Sequence, residues 1–556
     1  MDFACTIDGA LLRCVITSDR ALSAPVFCCS GMAPLAVVDG GAEVSALGSW
    51  IEIALPDLTP GTPHEVVLRY AGGYTPSNRA WMPLGPYLRA GTDLIPLPAL
   101  PAGAIAPDYR DRPAPDGVPV VPQPGDWRPG AGRLAAQALA MPDGEGETVA
   151  ALFTRLGHPG VFAPDGVPVT WVDADLPADA FRLEITSEGV TIAASGPGGR
   201  VYGLCMVCAW LVHSPDGLPC GVIEDAPRFG WRGQHLDCAR HFFSVETILQ
   251  LLDVMCLLRL NRFHWHFADD EAFRLQLPGL EALWRGLEYR GEGEVLPGLF
   301  GGGIRAGGSY SVEDIAKIVD HARALNIEIL PEIEVPAHAL GLCRLHPETR
   351  DPGDNGQEAT VQGYRQSAVN PAMPGTWDLL HRMVDEVSAH FPFGHLHLGC
   401  DELAADTWMS SPASRDLMAR EGLTDTKDLQ GWMMSKLADY VTAKGLRPAA
   451  WEEAAQGSNG GIGHDAILFS WTGQGPGIDA ARAGYDVVMT PAQHVYLDMA
   501  HTSDPDDWGA TWAATLALAD TVNWPPVPPE AADFADRIIG VQGTFWGEFT
   551  TRDAEV

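Results

Sequence analysis

The chain has 556 residues, with 36 basic and 72 acidic side chains and a formal net charge of -36; 46 % of it is hydrophobic and 19 % charged. Such a length exceeds one ordinary core and suggests about three to four domains. The acidic balance excludes nucleic acid and anionic membranes as partners, because phosphate binding needs a basic face, and a neutral substrate fits it best. The opening MDFACTIDGALLRC has no basic segment followed by a long apolar one, and no run of about 18 apolar residues occurs, so the expectation is a cytoplasmic protein with no membrane span. Eleven cysteines without framework spacing suit reduced thiols.

In chain order, residues 1–95 alternate short apolar runs (LLRCVIT, APLAVV, SWIEIAL, EVVLRY) with Gly, Pro and Asp turns, which predicts a β-sandwich-like domain. Residues 96–133 are crowded with proline and glycine and read as a linker or extended strap. From 134 to 229, AFRLEITSEGVTIAAS gives two strands joined at Glu188–Gly189, and the helical GGRVYGLCMVCAWLVH follows, so the unit is α+β. Its one CxxC pair, Cys205 and Cys208, lies in that apolar helix with no second pair nearby and reads as core rather than as zinc or redox chemistry.

From 230 to 556 the pattern becomes strand, loop, helix, repeated. Strands are expected at 233–239, 262–268, 327–335, 395–400, 447–452, 466–471, 486–490 and 540–546. Helical stretches such as SVETILQLLDVMCLLRL and SVEDIAKIVDHARAL intervene, with Ser244 and Ser311 placed to cap them. The fold class is therefore α/β, an eight-stranded (β/α)8 TIM-type barrel preceded by the two smaller domains. Only ten residues, GEFTTRDAEV, follow the eighth strand, so the last covering helix is expected to be missing or replaced.

Barrel enzymes carry their chemistry at the carboxyl ends of the strands. Those ends supply Arg240, Asp269, Asp270, Glu334, His338, Asp401, Glu402, Trp451, Glu452, Glu453, Trp471, Tyr496, Asp498, Trp546 and Glu548. Carboxylates, tryptophans and one arginine describe a sugar pocket: aromatic faces pack on the apolar faces of a pyranose while charged groups take its hydroxyls. A metal reading competes, since His264 and His266 alternate on one strand face and His338, His397 and Asp498 could complete a site, but it leaves the tryptophans without a role. HLHLGCDELA, at 395–404, poses the sharpest question, because Asp401 and Glu402 are neighbours and like charges this close resist joint ionisation.

The blocks WRGQHLDCARHFFSVETI, LNRFHWHFADDEAFRLQ, LPEIEVPAH and HLHLGCDEL, followed by AAWEE, FSW, VYLDM and TFWGE, resemble in that order the signature blocks of the glycoside hydrolase family 20 β-N-acetylhexosaminidases. The resemblance covers about 230–548 and answers the question of the paired acids. It implies an exo-acting, retaining enzyme that removes terminal GlcNAc, or GalNAc, and in which the substrate's own 2-acetamido oxygen attacks C1. Glu402 is then the general acid and base, Asp401 orients and stabilises the acetamido group, and Tyr496 hydrogen-bonds its oxygen. Trp451, Trp471 and Trp546 wall the sugar, and Arg240 and Glu548 hold its hydroxyls. Asp269 and His338 support the pocket, and Asp498 lies near O6. His264, His266 and His397 fall to the core. The implied partner is a small oligosaccharide or glycoconjugate, with no cofactor and no metal. Two alternatives stay open: a relative with disaccharide or β-1,6-polymer specificity, and a non-catalytic sugar-binding protein. Whether the early β domain binds carbohydrate or only packs on the barrel is also open.

Overall fold

The computed structural model describes residues 1–98, 100, 117–214, 216–298, 303–356, 367–550 and 552–553. Two antiparallel sheets form the first domain. One runs Asp2–Asp8, Leu11–Thr17, Pro63–Tyr70, Leu35–Asp39, the other Ala42–Leu47, Trp50–Ala54, Val26–Ser30, Leu84–Ala90, Asp93–Pro96. Leu11–Thr17 shows why: its residues alternate half-buried and buried, so every second side chain enters the core. That core, with Phe3, Leu12, Phe27, Ile51, Ile53 and Leu68 among its members, lies between the sheets as in a β-sandwich.

The next unit is a five-stranded sheet ordered Asp126–Leu134, Leu218–Asp225, Phe181–Ile185, Val190–Ala194, Val169–Asp173. Phe181–Ile185 and Val190–Ala194 are the antiparallel pair expected from sequence. Pro197–Val212 packs against them as a helix in which Cys205 and Cys208 are 3 % and 0 % exposed, as core residues should be. One reading needs correction: the proline/glycine-rich stretch assigned to 96–133 is not all strap. Residues 99 and 101–116 lie outside the described residues, but Asp126–Leu134 is an edge strand of this sheet. An edge position tolerates Pro129, whose missing N–H would break a central ladder, and the register shifts between Pro129 and Arg133.

A closed parallel barrel completes the chain. Its strands are β1 (Trp231–Asp237), β2 (Arg262–His266), β3 (Glu328–Glu332), β4 (His395–His397), β5 (Arg447–Trp451), β6 (Ile467–Ser470), β7 (Asp486–Met489) and β8 (Ile538–Phe545), with β8 pairing back onto β1. Most are buried on both faces, which is why they read as apolar runs. The two expected caps form: Ser244 Oγ accepts the Thr247 N–H at 3.2 Å, and Ser311 and Asp314 make a reciprocal capping box at 3.1 and 3.0 Å. Among the described residues no helix follows β8. Instead Asp553 reaches the first barrel helix, accepting from the Ser244 N–H at 2.9 Å and the Thr247 hydroxyl at 2.7 Å. No helix of the described residues is long and apolar enough to cross a membrane.

Candidate active site

The carboxyl ends of the strands surround a cavity of about 330 Å³, within the usual range for ligand pockets of roughly 300–1,000 Å³. Arg240, Asp401, Glu402, Trp451, Trp471, Tyr496, Asp498, Trp546 and Glu548 line it. These are nine of the sequence-derived candidates; Asp269 and His338 stand behind the wall and contact the lining residues.

Strand β4 stops three residues short of the sequence expectation because the chain turns inward after His397. Gly399 and Cys400 take φ of 73° and 90°, and Glu402 takes 54°. A Cβ at position 399 would lie 2.1 Å from a Glu334 carboxylate oxygen, so glycine is needed there. Two non-glycine residues in the left-handed region store strain that the packed barrel sustains, and the result is that consecutive acids both face the cavity.

Behind them runs a chain of charged contacts. Arg240, 3 % exposed, lies 2.8 Å from Asp269, 3.4 Å from Asp237 and 3.6 Å from Glu271, and its guanidinium sits 5.1 Å over the Trp546 ring. His338 links this group to the paired acids, with Nδ1 3.4 Å from Asp269 and Nε2 3.1 Å from Glu402 and 3.7 Å from Asp401. Burial alone would push its imidazole down, but Asp269 and Asp401 outweigh burial and hold the ring protonated, well above its usual range. Burial likewise acts to raise Asp269, yet Arg240 and His338 win and keep it ionised, far below the usual carboxylate range.

Asp401 is different. Burial raises its carboxyl, with Glu402 and Glu332 adding to the effect, while His338 and a hydrogen bond with the Glu334 carboxyl oppose it. Its Oδ1 is buried and has no hydrogen-bond partner among the described residues. Asp498 Oδ1, Glu548 Oε2 and Trp451 Nε1 share that condition. Buried polar atoms are almost always paired, and these four lie on the wall of one cavity, where a ligand can reach them. Burial pushes Glu548 up to about 7, against the pull of Arg240, and pushes Asp498 well above its usual range, with Glu548 adding to it.

The aromatic walls are fixed from behind. Glu453 accepts the Trp471 indole N–H at 3.0 Å, and Glu452 accepts the Trp471 and Thr472 backbone N–H groups at 3.0 Å each. Trp451 and Trp546 are tilted 42° at 6.0 Å, and Tyr496 meets Trp546 at 6.2 Å. Burial keeps the Tyr496 phenol well above its usual pKa, so it is a hydrogen-bond donor.

His264, His266 and His397 lie inside the barrel around Glu332, all fully buried, as expected of core residues. With His235, they form two groups whose ring nitrogens and Glu332 oxygens lie within 4.8 Å of one another. Their contacts are those of a polar core: His266 Nδ1 is 2.5 Å from Glu332, Gln542 Nε2 is 3.0 Å from His264 Nδ1, and His397 Nδ1 accepts the Gly399 N–H at 3.1 Å.

Sequence reasoning missed Trp512 and Phe549, and four residues of the first domain, Met32, Ala33, Tyr74 and Trp81, which also line the cavity. The only sequence signal was aromatic residues set among turn formers, as in AGGYTPSNRAWM and WGATW.

Comparison with known proteins gives the family and the fold. The family model of the glycosyl hydrolase family 20 catalytic domain matches residues 229–556. A β-hexosaminidase of Vibrio furnissii is 32 % identical over 464 residues, 80 % of this chain and 76 % of the relative. The N,N'-diacetylchitobiase of Vibrio harveyi is 29 % identical over 476 residues, 71 % of this chain and 54 % of that one. The crystal structure of the family 20 exo-β-N-acetylglucosaminidase from Vibrio harveyi in complex with N-acetylglucosamine superposes with a TM-score of 0.84 at 26 % identity, covering 99 % of this chain and 91 % of that chain.

Proposed function

The chain belongs to glycosyl hydrolase family 20 and is a glycoside hydrolase, and from that premise we propose an exo-acting β-N-acetylhexosaminidase that removes terminal β-linked GlcNAc with retention by substrate-assisted catalysis. The observation that carries this reading is the placing of Asp401, Glu402 and Tyr496 together on the wall of one cavity. A 2-acetamido group suits these side chains, with an N–H for Asp401 and a carbonyl oxygen for the Tyr496 hydroxyl. Held between them, the acetamido oxygen is turned toward C1 and attacks it as the glycosidic bond breaks. Ionised in the transition state, Asp401 stabilises the positive charge that develops on the acetamido nitrogen and carbon.

Glu402 protonates the departing oxygen and then takes a proton from the water that opens the oxazolinium ring. His338 orients Glu402 through Nε2, and Asp269 fixes the imidazole through Nδ1. Arg240, Asp498 and Glu548 are the partners for the hydroxyls of the terminal sugar, and Trp451, Trp471 and Trp546 enclose its ring and acetamido methyl.

The test compares a 4-nitrophenyl β-N-acetylglucosaminide with the matching β-glucoside. Hydrolysis of the first alone is expected, because the glucoside lacks the internal nucleophile. Comparable rates on both would overturn the substrate-assisted mechanism and require an enzyme nucleophile.

A further inference from the structure

The cavity has a wall that the barrel does not supply. Met32, Ala33, Tyr74 and Trp81 reach it from the sandwich domain. Gly72 and Gly73, at φ of 78° and 81°, make the turn that presents Tyr74, whose ring lies 6.1 Å from Trp81 at 35°. The following residues bind the barrel loop after β7. Asn78 Nδ2 donates to the Gly509 carbonyl at 2.8 Å, the Arg79 N–H donates to the Asp507 carbonyl at 3.3 Å, and the Trp81 indole N–H donates to Thr511 Oγ1 at 3.4 Å. The Arg79 guanidinium covers the Trp508 ring at 5.6 Å. Next in the chain, Trp512 stands edge-on to Trp471 at 5.9 Å and to Tyr496 at 6.0 Å. The sandwich is thus fastened to the loop that touches the catalytic tyrosine.

Exposure orders the aromatic residues by depth. Trp451 is 0 % exposed at the floor, whereas Tyr74 and Trp512 are 55 % and 54 % exposed at the mouth. A terminal sugar held by the floor leaves its glycosidic oxygen, near Glu402, directed to that mouth. We propose that Tyr74, with Met32 and Trp512, forms the subsite for the sugar on the leaving side of the scissile bond, so that the sandwich domain is part of the substrate site. The platform suits the apolar face of a neutral pyranose. An anionic sugar is disfavoured, because Asp401, Glu402, Asp498 and Glu548 line the same cavity and its one lining cation among the described residues, Arg240, is 3 % exposed and held by carboxylates. The inference rests on the proposed glycosidase reading and deepens it, since it names a β-linked oligosaccharide with a neutral penultimate sugar as the substrate class.

The experiment uses the full chain and two substrates, the β-1,4-linked disaccharide of N-acetylglucosamine and N-acetyl-β-glucosaminyl fluoride, whose leaving group has no ring. The readout is the ratio of kcat/KM for the disaccharide to that for the fluoride. Tyr74→Ala should lower this ratio about tenfold, and Tyr74→Phe, which keeps the ring, should hold it to within about twofold of the wild type. An unchanged ratio in Tyr74→Ala overturns the subsite. So does a wild type that cleaves the fluoride but not the disaccharide, while leaving the glycosidase reading standing. A wild type inert toward both overturns that reading, and the subsite with it.

Discussion

Two aspartates of the barrel domain, one at the outer wall and one at the cavity, are built in opposite ways. Asp428, in the first turn of the helix Thr426–Ala443, accepts four hydrogen bonds: from the Thr424 N–H at 3.0 Å and hydroxyl at 2.7 Å, and from the Ser458 N–H and hydroxyl at 2.8 Å each. Those donors hold its carboxyl down at about 2. Asp401 has an oxygen with no partner among the described residues, and burial raises its carboxyl. Both are under 10 % exposed, but burial is the largest influence on Asp401, whereas at Asp428 the hydrogen-bond donors outweigh it. A carboxylate saturated by donors stabilises the fold, and one short of donors keeps a lone pair for a ligand.

Replacing the unsaturated side of this contrast should cost activity and spare the fold. On the proposed mechanism Glu402→Gln removes the general acid and should lower kcat on the disaccharide of N-acetylglucosamine by about 10²–10⁴-fold. Asp401→Asn removes the charge proposed to face the acetamido group and should lower it by about 10²–10³-fold. Chemical denaturation at neutral pH should find Asp401→Asn at least as stable as the wild type. The sign follows from the raised carboxyl: the folded state binds the proton more tightly than the unfolded state, so ionisation above the unfolded value of about 3.9 works against folding. A variant that unfolded more easily would assign Asp401 to structure.

Asp269 belongs to both classes, and its replacement should damage both properties. It holds Arg240 at 2.8 Å and His338 at 3.4 Å, each of them buried. Asp269→Asn leaves two buried cations with one carboxylate fewer and should destabilise the protein by on the order of 3 kcal/mol, read from urea unfolding. It should also slow hydrolysis, since His338 is then released from the geometry that holds Glu402. Full stability in this variant would show that the remaining acids around Arg240, Asp237 foremost, suffice to neutralise it.

Much of this was legible in the sequence, for physical reasons. Parallel strands buried on both faces give apolar runs, and every barrel strand falls where such a run ends in polar residues. Boundaries slipped where the polypeptide leaves the sheet to build the site, as at 398–400, which the glycine turn takes out of β4. The edge strand Asp126–Leu134 was hidden because Pro129 and its glycines mimic a linker, and only an edge admits them. Strand-end acids and tryptophans could be assembled into one pocket because barrel topology brings strand ends together. Tyr74 and Trp81 could not, since their approach depends on docking between domains, and no local pattern encodes which face of a sandwich meets a barrel loop.

The smallest effect belongs to the saturated aspartate and completes the contrast. Asp428→Asn keeps the side-chain shape but loses charge-assisted hydrogen bonds, each commonly worth about 1.5–3 kcal/mol, so a net loss of about 1–3 kcal/mol is expected with kcat unchanged. Its pH dependence identifies the cause. The carboxyl sits at about 2 in the folded protein and near 3.9 unfolded. Its contribution is therefore present in full above about pH 4 and disappears as pH falls toward about 2. The stability difference between wild type and Asp428→Asn should shrink across that window and be flat above it. A difference that stayed constant down to acid pH would mean that the amide's altered packing, rather than the ionised carboxylate, sets the loss, and saturation would then no longer be what distinguishes this aspartate from Asp401.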